Sequence, residues 1–179
     1  MSSTNKSGEK ARKMPSSIGL RKQNIVRDRG ETGLKREGTY RQNFSVPGDV
    51  VDQNGHVNNV VYVQWMQDIA VLHSAAAGCT EATQEAGATW VVRSHRIEYL
   101  SPAFAGDVVE ALTWVVNFRR AISLRRYRFV RKTDARILAR GETEWVFIDA
   151  KSGRPRTIPE VVARSFVLIP EDQEPEAIE

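Results

Sequence analysis

The chain has 179 residues, 41% of them apolar, with 26 Lys+Arg against 22 Asp+Glu and a single cysteine. That length and apolar fraction suit one globular domain with a real core and exclude a wholly disordered chain. One cysteine, Cys79, excludes an internal disulfide framework, and no Cys/His cluster suggests a structural zinc. The apolar runs fall far short of the ~20 residues of a membrane-spanning helix. No apolar segment follows the basic N-terminus as a secretory signal requires, so a soluble, cytoplasmic protein of a reducing compartment is expected.

Charge is unevenly placed. Residues 1–38 hold ten Lys/Arg and four acids, a net +6, which leaves −2 of the chain's +4 for residues 39–179. The basic stretch is rich in Ser, Gly, Lys and Arg without apolar period and is read as a disordered tail. A solvated extension, or sequence upstream of a start at Met14, is the plainest account of it. Contact with an acidic surface or nucleic acid is another. Organelle import is not excluded, although four acids count against a transit peptide. The end of the chain, residues 169–179, is acidic and proline-bearing and is expected to be loose.

Between these tails, Tyr40 to Val46 alternates as a first strand, and Pro47-Gly48-Asp49 breaks it. A polar loop over residues 50–59 ends in Asn58 and Asn59, either of which suits a helix N-cap. Val60 to Ala77 reads as one helix with a narrow polar stripe, Gln64, Gln67, Asp68 and Ser74 with Val71 between them. Such a helix is largely surrounded by protein, and Gly78 stops it. Four strands follow, at Trp90 to Leu100, Val108 to Phe118, Ala121 to Lys132 and Arg136 to Ile148. In the last, Ile137, Ala139, Gly141, Thr143, Trp145 and Phe147 line one face. Pro159 to Phe166 suits a short helix opened by its proline. Long strands joined by short turns imply antiparallel pairing. The class is therefore α+β, with the sheet curled around one buried helix.

Asp52-Gln53-Asn54-Gly55-His56-Val57-Asn58-Asn59, followed by Tyr62 and Trp65, resembles the hot-dog-fold acyl thioesterases. The D-x-x-G-H-V-N-N-x-x-Y pattern at a loop-to-helix junction is similar to the 4-hydroxybenzoyl-CoA thioesterase-like branch. The Asp52, Asn54 and His56 triplet is also similar to the plant acyl-ACP thioesterases. Arg96 to Pro102 and Gly106-Asp107 resemble a strand and turn of the same superfamily, over residues 39–168 in all. The resemblance implies one long central helix wrapped by a curved antiparallel sheet. It also implies hydrolysis of an acyl thioester on coenzyme A or acyl carrier protein, and a homodimer or homotetramer with sites at the subunit interface. No metal, redox cofactor or nucleic-acid partner is implied.

Thioester hydrolysis needs a group that activates water or attacks the carbonyl, donors for the oxyanion, and a grip on the acyl carrier. Asp52 is the candidate for the first, as general base or as a nucleophile forming an anhydride; a loop aspartate closing an Asx-turn is its structural alternative. Asn54 holds water or the carbonyl oxygen, or only shapes the turn before Gly55, whose missing side chain lets the backbone approach the thioester. His56 either hydrogen-bonds the thioester or braces the loop. Amides over Val57, Asn58 and Asn59 should point free at the helix start, where the helix dipole adds positive charge. Asn59 matches the position whose amide holds the oxyanion in the hydroxybenzoyl branch. Tyr62 completes the substrate-side set. Arg125, Arg126 and Arg128, in a basic hairpin, are candidates for binding the phosphates of coenzyme A or an acidic carrier, against the plainer role of a charged edge. Glu98 matches a Glu-Tyr pair of the plant branch and is either a second acid or, the favoured reading, a strand residue paired with Arg96 or Arg93; Cys79 and His73 are read as packing residues. A non-catalytic acyl-CoA or partner-binding module is the alternative function. A hot-dog dehydratase is a third, but the motifs of that group are not evident.

Overall fold

The computed structural model describes residues 38–175. The basic stretch read as disordered, residues 1–37, and residues 176–179 lie outside the described residues. In chain order the elements are β1 (Thr39–Ser45), α1 (Asn59–Ala76), α2 (Cys79–Glu85), β2 (Ala88–Tyr99), β3 (Val108–Arg119), β4 (Ile122–Arg131), β5 (Arg136–Asp149) and α3 (Glu160–Ala163). The five strands form one antiparallel sheet in the order β1-β3-β4-β5-β2, curved around α1. No helix among the described residues is long and apolar enough to cross a membrane.

α1 begins where Asn58 stays extended and its side chain accepts from the Val60 N–H. It ends at Ala77, because Gly78 takes φ +75°, a left-handed conformation that costs other residues a Cβ clash. The buried face carries Tyr62, Trp65, Met66, Ile69, Ala70 and His73. These pack on Val109, Ala111, Tyr127, Phe129, Leu138 and Ala139 from the concave side of the sheet. Val60, read as lying on a face turned to protein, is 72% exposed, and Val71, within the polar stripe, is 54% exposed. They share with Gln64 a flank of α1 that this chain leaves open.

Beyond the helix α2, which the sequence pattern does not reveal, three features differ from the sequence reading. First, β2 does not pair with the strand that follows it; it lies at the far edge beside β5, and residues 100–107 cross the end of the sheet to reach β3. Second, Leu138 is an extra residue opposite the step from Phe129 to Val130, so the β5 pattern slips there. Leu138 joins Ala139 in the helix-side core, while Ile137 turns to a second apolar layer on the convex face with Leu112, Trp114, Val116 and Val130. Third, the segment expected to hang loose after Pro170 forms a single 3-10 turn, Glu171–Gln173, and its Glu171 and Glu174 side chains pair with Arg126.

One buried cation sits in the helix-side core. Arg125 Nη1 donates to His73 Nδ1 at 2.8 Å and to Thr113 Oγ1 at 3.2 Å. His73 is stacked on Tyr40 and meets the Phe166 ring edge-on. Burial, and then the neighbouring Arg125 charge, push the His73 imidazole down to about 3. It is therefore neutral and free to accept.

Two outcomes follow from this packing. A Cβ at Gly141 would stand 2.8 Å from the sulfur of Met66, which is fully buried. Gly141→Val should therefore lower unfolding free energy by about 1–3 kcal/mol, with part of the loss recovered in a Gly141→Val, Met66→Ala double variant, both read by urea denaturation. For His73 the unfolded imidazole protonates near 6.5 and the folded one only near 3, so the unfolded state binds more protons in that window. Its contribution is complete above pH 6.5 and is lost as pH falls, at up to about 1.4 kcal/mol per pH unit. Between pH 7.5 and 5, His73→Gln should lose markedly less stability than the parent chain.

Candidate active site

The loop before α1 is built from short-range hydrogen bonds. Val51 and Val57 form an isolated antiparallel bridge, and within it the Asp52 N–H donates to His56 O at 2.8 Å. The Gly55 N–H donates back to Asp52 O at 3.0 Å, and Gly55 takes φ +79°. A Cβ at Gly55 would meet no atom within 4 Å, so the turn, and not a crowded approach, is what calls for glycine. Asp52 Oδ1 accepts from the Asn54 N–H at 2.8 Å, an Asx-turn that pins this half-buried carboxylate. The Asn54 side chain is exposed.

The amides at the junction are not all free, which corrects the expectation for residues 57–59. The Val57 N–H donates to Ala103 O and the Asn58 N–H to Val50 O, each at 2.9 Å. The Val60 N–H is capped by Asn58 Oδ1 and the Val61 N–H by Asn58 O. The Asn59 N–H alone in this run has no hydrogen-bond partner among the described residues. It stands at the positive end of an 18-residue helix.

Around it lies a cleft of about 320 Å³ lined by His56, Asn59, Tyr62, Tyr99 and the start of the crossing segment. His56 is exposed and its ring meets Phe104 edge-on at 5.5 Å. Tyr62 is 2% exposed, and burial, with smaller contributions from Tyr99 and Asp107, pushes its phenol up to about 12. It is a neutral wall and not a base. Asp52 is one turn of loop away and does not line this cleft. The structure thus gathers His56, Val57, Asn59 and Tyr62 at one cleft and leaves Asp52, Asn54 and Gly55 in the turn that precedes it.

The second half of the cleft comes from Tyr99 to Ala103, most of which the resemblance in sequence places in a strand and turn of the superfamily without assigning them to the site. Tyr99 Oη donates to Asn59 O at 3.0 Å. The crossing segment that supplies Leu100 to Ala103 is held from below by Arg131, which reaches Pro102 O and Asp107 Oδ2, both at 3.2 Å, and Asp134 at 3.1 Å. Pro102 and Gly106-Asp107 mark a turn in the sequence, but nothing local says that the turn passes the start of α1.

Arg125, Arg126 and Arg128 do not form the exposed basic patch expected of them. Alternation along β4 sends Arg125 inward to His73, where it is 4% exposed. Arg126 and Arg128 face the convex side. There Arg126 is paired with Glu142, Glu171 and Glu174, and Arg128 lies over the Trp114 ring and donates to Pro175 O. Glu98 is paired with Arg96 at 3.1 Å, and Cys79 is buried against Thr83. Among the described residues no cluster of His, Cys, Asp or Glu could hold a metal ion.

Comparisons with known proteins agree with this architecture. A family model described as the Thioesterase-like superfamily matches residues 45–166. A Lactobacillus plantarum protein to which oleoyl thioesterase activity is attributed superposes with a TM-score of 0.67 at 19% identity, over 72% of this chain and 50% of that one. This chain thus spans about half the length of that relative. The 1,4-dihydroxy-2-naphthoyl-CoA thioesterase of Synechocystis gives 0.64 at 16% identity, over 72% of this chain and 95% of that one. The 12:0-ACP thioesterase of Umbellularia californica gives 0.66 at 18% identity, over 79% of this chain and 56% of that one. A sequence search of curated proteins found no match. At these identities the superpositions establish the shared hot-dog fold, and the family match covers well over half the chain: this protein belongs to the Thioesterase-like superfamily.

Proposed function

We propose that the protein hydrolyses acyl thioesters carried on coenzyme A or acyl carrier protein to a free acid and the thiol. The observation that carries this reading is the Asn59 amide, unpartnered among the described residues, on a residue that lines the cleft beside His56 at the start of α1. A thioester carbonyl seated there would place its oxygen on the Asn59 N–H and in the field of the helix start. His56, with no hydrogen bond on its ring among the described residues, stands ready to orient the thioester.

Asp52 supplies the carboxylate. As a base it takes a proton from water as the hydroxide oxygen adds to the carbonyl carbon; the negative charge passes to the carbonyl oxygen. Collapse of that adduct breaks the C–S bond, and the departing thiolate takes up the proton. As a nucleophile it adds to the carbonyl carbon and the C–S bond breaks, releasing the thiolate and leaving an anhydride; water then opens the anhydride to the free acid and the aspartate carboxylate, and its second proton goes to the thiolate. Either route requires the carboxylate to face the cleft on substrate binding, since Oδ1 holds the Asn54 amide.

Oligomerisation fits the same reading. β2 is an edge strand, its outer backbone groups are without a strand neighbour among the described residues, and Val91, Val92 and Tyr99 on it are 40%, 37% and 44% exposed. A second copy pairing edge to edge would cover these and the open flank of α1, and would complete the wall of the cleft. Sedimentation equilibrium should therefore report at least a dimer.

Asp52→Asn is a clean test, because an asparagine Oδ1 accepts from the Asn54 N–H as the aspartate does. Thiol release from a panel of acyl-CoA substrates should fall by about 10²–10⁴ in kcat with the melting temperature unchanged. Turnover near the parent rate would remove Asp52 from the chemistry. Tight acyl-CoA binding without turnover in the parent chain would instead favour a binding module, the reading that the Asx-turn at Asp52 supports.

A further inference from the structure

A second cavity, of about 250 Å³, lies further along α1, between that helix, α2 and strands β2, β4 and β5. Ala70, Ser74, Thr83, Trp90, Arg125 and Phe166 form much of its wall. No aspartate or glutamate lines it, and Arg125 is the one cation among its lining residues.

That arginine is unusual in having nothing negative to answer it. It is 4% exposed, yet it makes no ion pair among the described residues. Nη1 is used on His73 and Thr113, both neutral, and the Phe166 ring lies 5.2 Å from Cζ. Nε and Nη2 have no hydrogen-bond partner among the described residues. Cys79 and Tyr127 are the nearest groups that could become anions, and burial pushes both upward, so both stay protonated. A guanidinium cannot shed its charge as a lysine can. A buried charge of this kind needs an anion with hydrogen-bond acceptors. The rest of the wall admits an oxygen ligand: Ser74 brings a hydroxyl, beside Thr83, whose hydroxyl oxygen accepts from the Trp90 indole N–H at 3.1 Å.

The position of the cavity indicates where such an anion comes from. Asn59, Val63, Gln67 and Val71 follow one another at four-residue spacing, so they lie along one stripe of α1. Gln67 and Val71 line the cavity and Asn59 lines the first cleft. At the rise of an α-helix, Gln67 and Ser74 stand about 12 and 22 Å along the axis from Asn59. An extended acyl chain with its thioester at Asn59 would run along this stripe and end at Arg125.

We propose that this cavity binds a carboxylate through Arg125, and that the carboxylate is the far end of the acyl group. The enzyme would thus select ω-carboxyacyl thioesters over plain acyl chains of equal length. Its identification with the acyl group rests on the thioesterase reading; the carboxylate site itself does not.

The test compares myristoyl-CoA with 13-carboxytridecanoyl-CoA, whose extended fourteen-carbon chains span about 16 Å and so, with a hydrogen bond at each end, cover the helix rise from Asn59 to His73, using the full chain, Arg125→Met and Val71→Trp. Val71 lines the cavity and is 54% exposed in the single chain, so tryptophan there closes the mouth while leaving the guanidinium in place; the variant is used once sedimentation shows the same assembly as the parent chain. For the parent chain kcat/KM should favour the carboxyl-ended substrate by about tenfold or more. In Arg125→Met the ratio should collapse towards one, and in Val71→Trp the KM for the carboxyl-ended substrate should rise. No preference in the parent chain, or a preference that survives Arg125→Met, overturns the acyl assignment. Should Arg125→Met not fold, an unchanged KM in folded Val71→Trp overturns it equally. If neither substrate is hydrolysed, the thioesterase reading fails by itself, and thermal shift with suberate decides the site. A rise in melting temperature in the parent chain that is lost in Val71→Trp keeps the carboxylate site, as one for a free effector, and overturns its link to the acyl group. No rise overturns the site as well.

Discussion

The first turn of α1 presents amides that the helix itself cannot satisfy, and the way the chain disposes of them shapes the candidate site. Asn58 answers two, with its side-chain oxygen on the Val60 N–H and its carbonyl on the Val61 N–H. Its own amide goes to Val50, and that of Val57 goes to Ala103 on the crossing segment. These bonds fix the loop, the helix and the crossing segment against one another. The Asn59 amide is left over at the point where the three meet, beside a cleft. A donor held rigidly by bonds made elsewhere needs no reorganisation when charge develops in front of it, which is the condition for electrostatic stabilisation of an oxyanion.

The two faces of the sheet handle arginine in opposite ways. On the convex side Arg126 is matched by carboxylates brought by the C-terminal segment and by β5, and Arg128 lies across the Trp114 ring with Glu174 at 3.6 Å. On the helix side Arg125 is met, among the described residues, by an imidazole, a hydroxyl and an aromatic ring. The first arrangement is self-contained. The second leaves charge and donors directed at a cavity, and the neutral state of His73 is part of what makes it tolerable, since a second cation there would be repelled at short range. A single residue of β4 alternation separates a structural arginine from one whose surroundings ask for a ligand.

The sheet also closes itself on one side only. β1 sits beside β3 with the convex layer behind it, whereas β2 on the opposite edge has a bulge at Arg93 and exposed apolar side chains. Edge strands of this length with exposed Val and Tyr invite pairing. The open flank of α1, with Val60 and Val71 outward, is a helix face left apolar on the solvent side. Both features weigh towards an assembly in which a second chain finishes what this one leaves uncovered.

Local rules are enough for much of the architecture. The Asn58 cap, the Gly78 stop, the Pro159 start and the long alternating strands are short-range consequences of backbone geometry and side-chain period, and they appear within a residue or two of where the sequence places them. The motif at residues 52–59 marks the loop-to-helix junction for the same reason: a left-handed Gly55 and an Asx-turn are written in adjacent residues. The helix over residues 79–85 escaped the sequence reading, since Thr and Glu without an apolar period give little signal. Three other things were decided only in three dimensions. They are the placement of β2 across the sheet, the bulge that turns Ile137 outward, and the fate of each junction amide. Each depends on a partner distant in sequence: Ala103 for Val57, Tyr99 for Asn59, Phe129 and Val130 for the slip at Leu138. The arginines of β4 make the same point. Their charge was legible at once, but whether a carboxylate stands opposite is a property of packing, because it is set by which faces meet and not by which residues are neighbours in the chain.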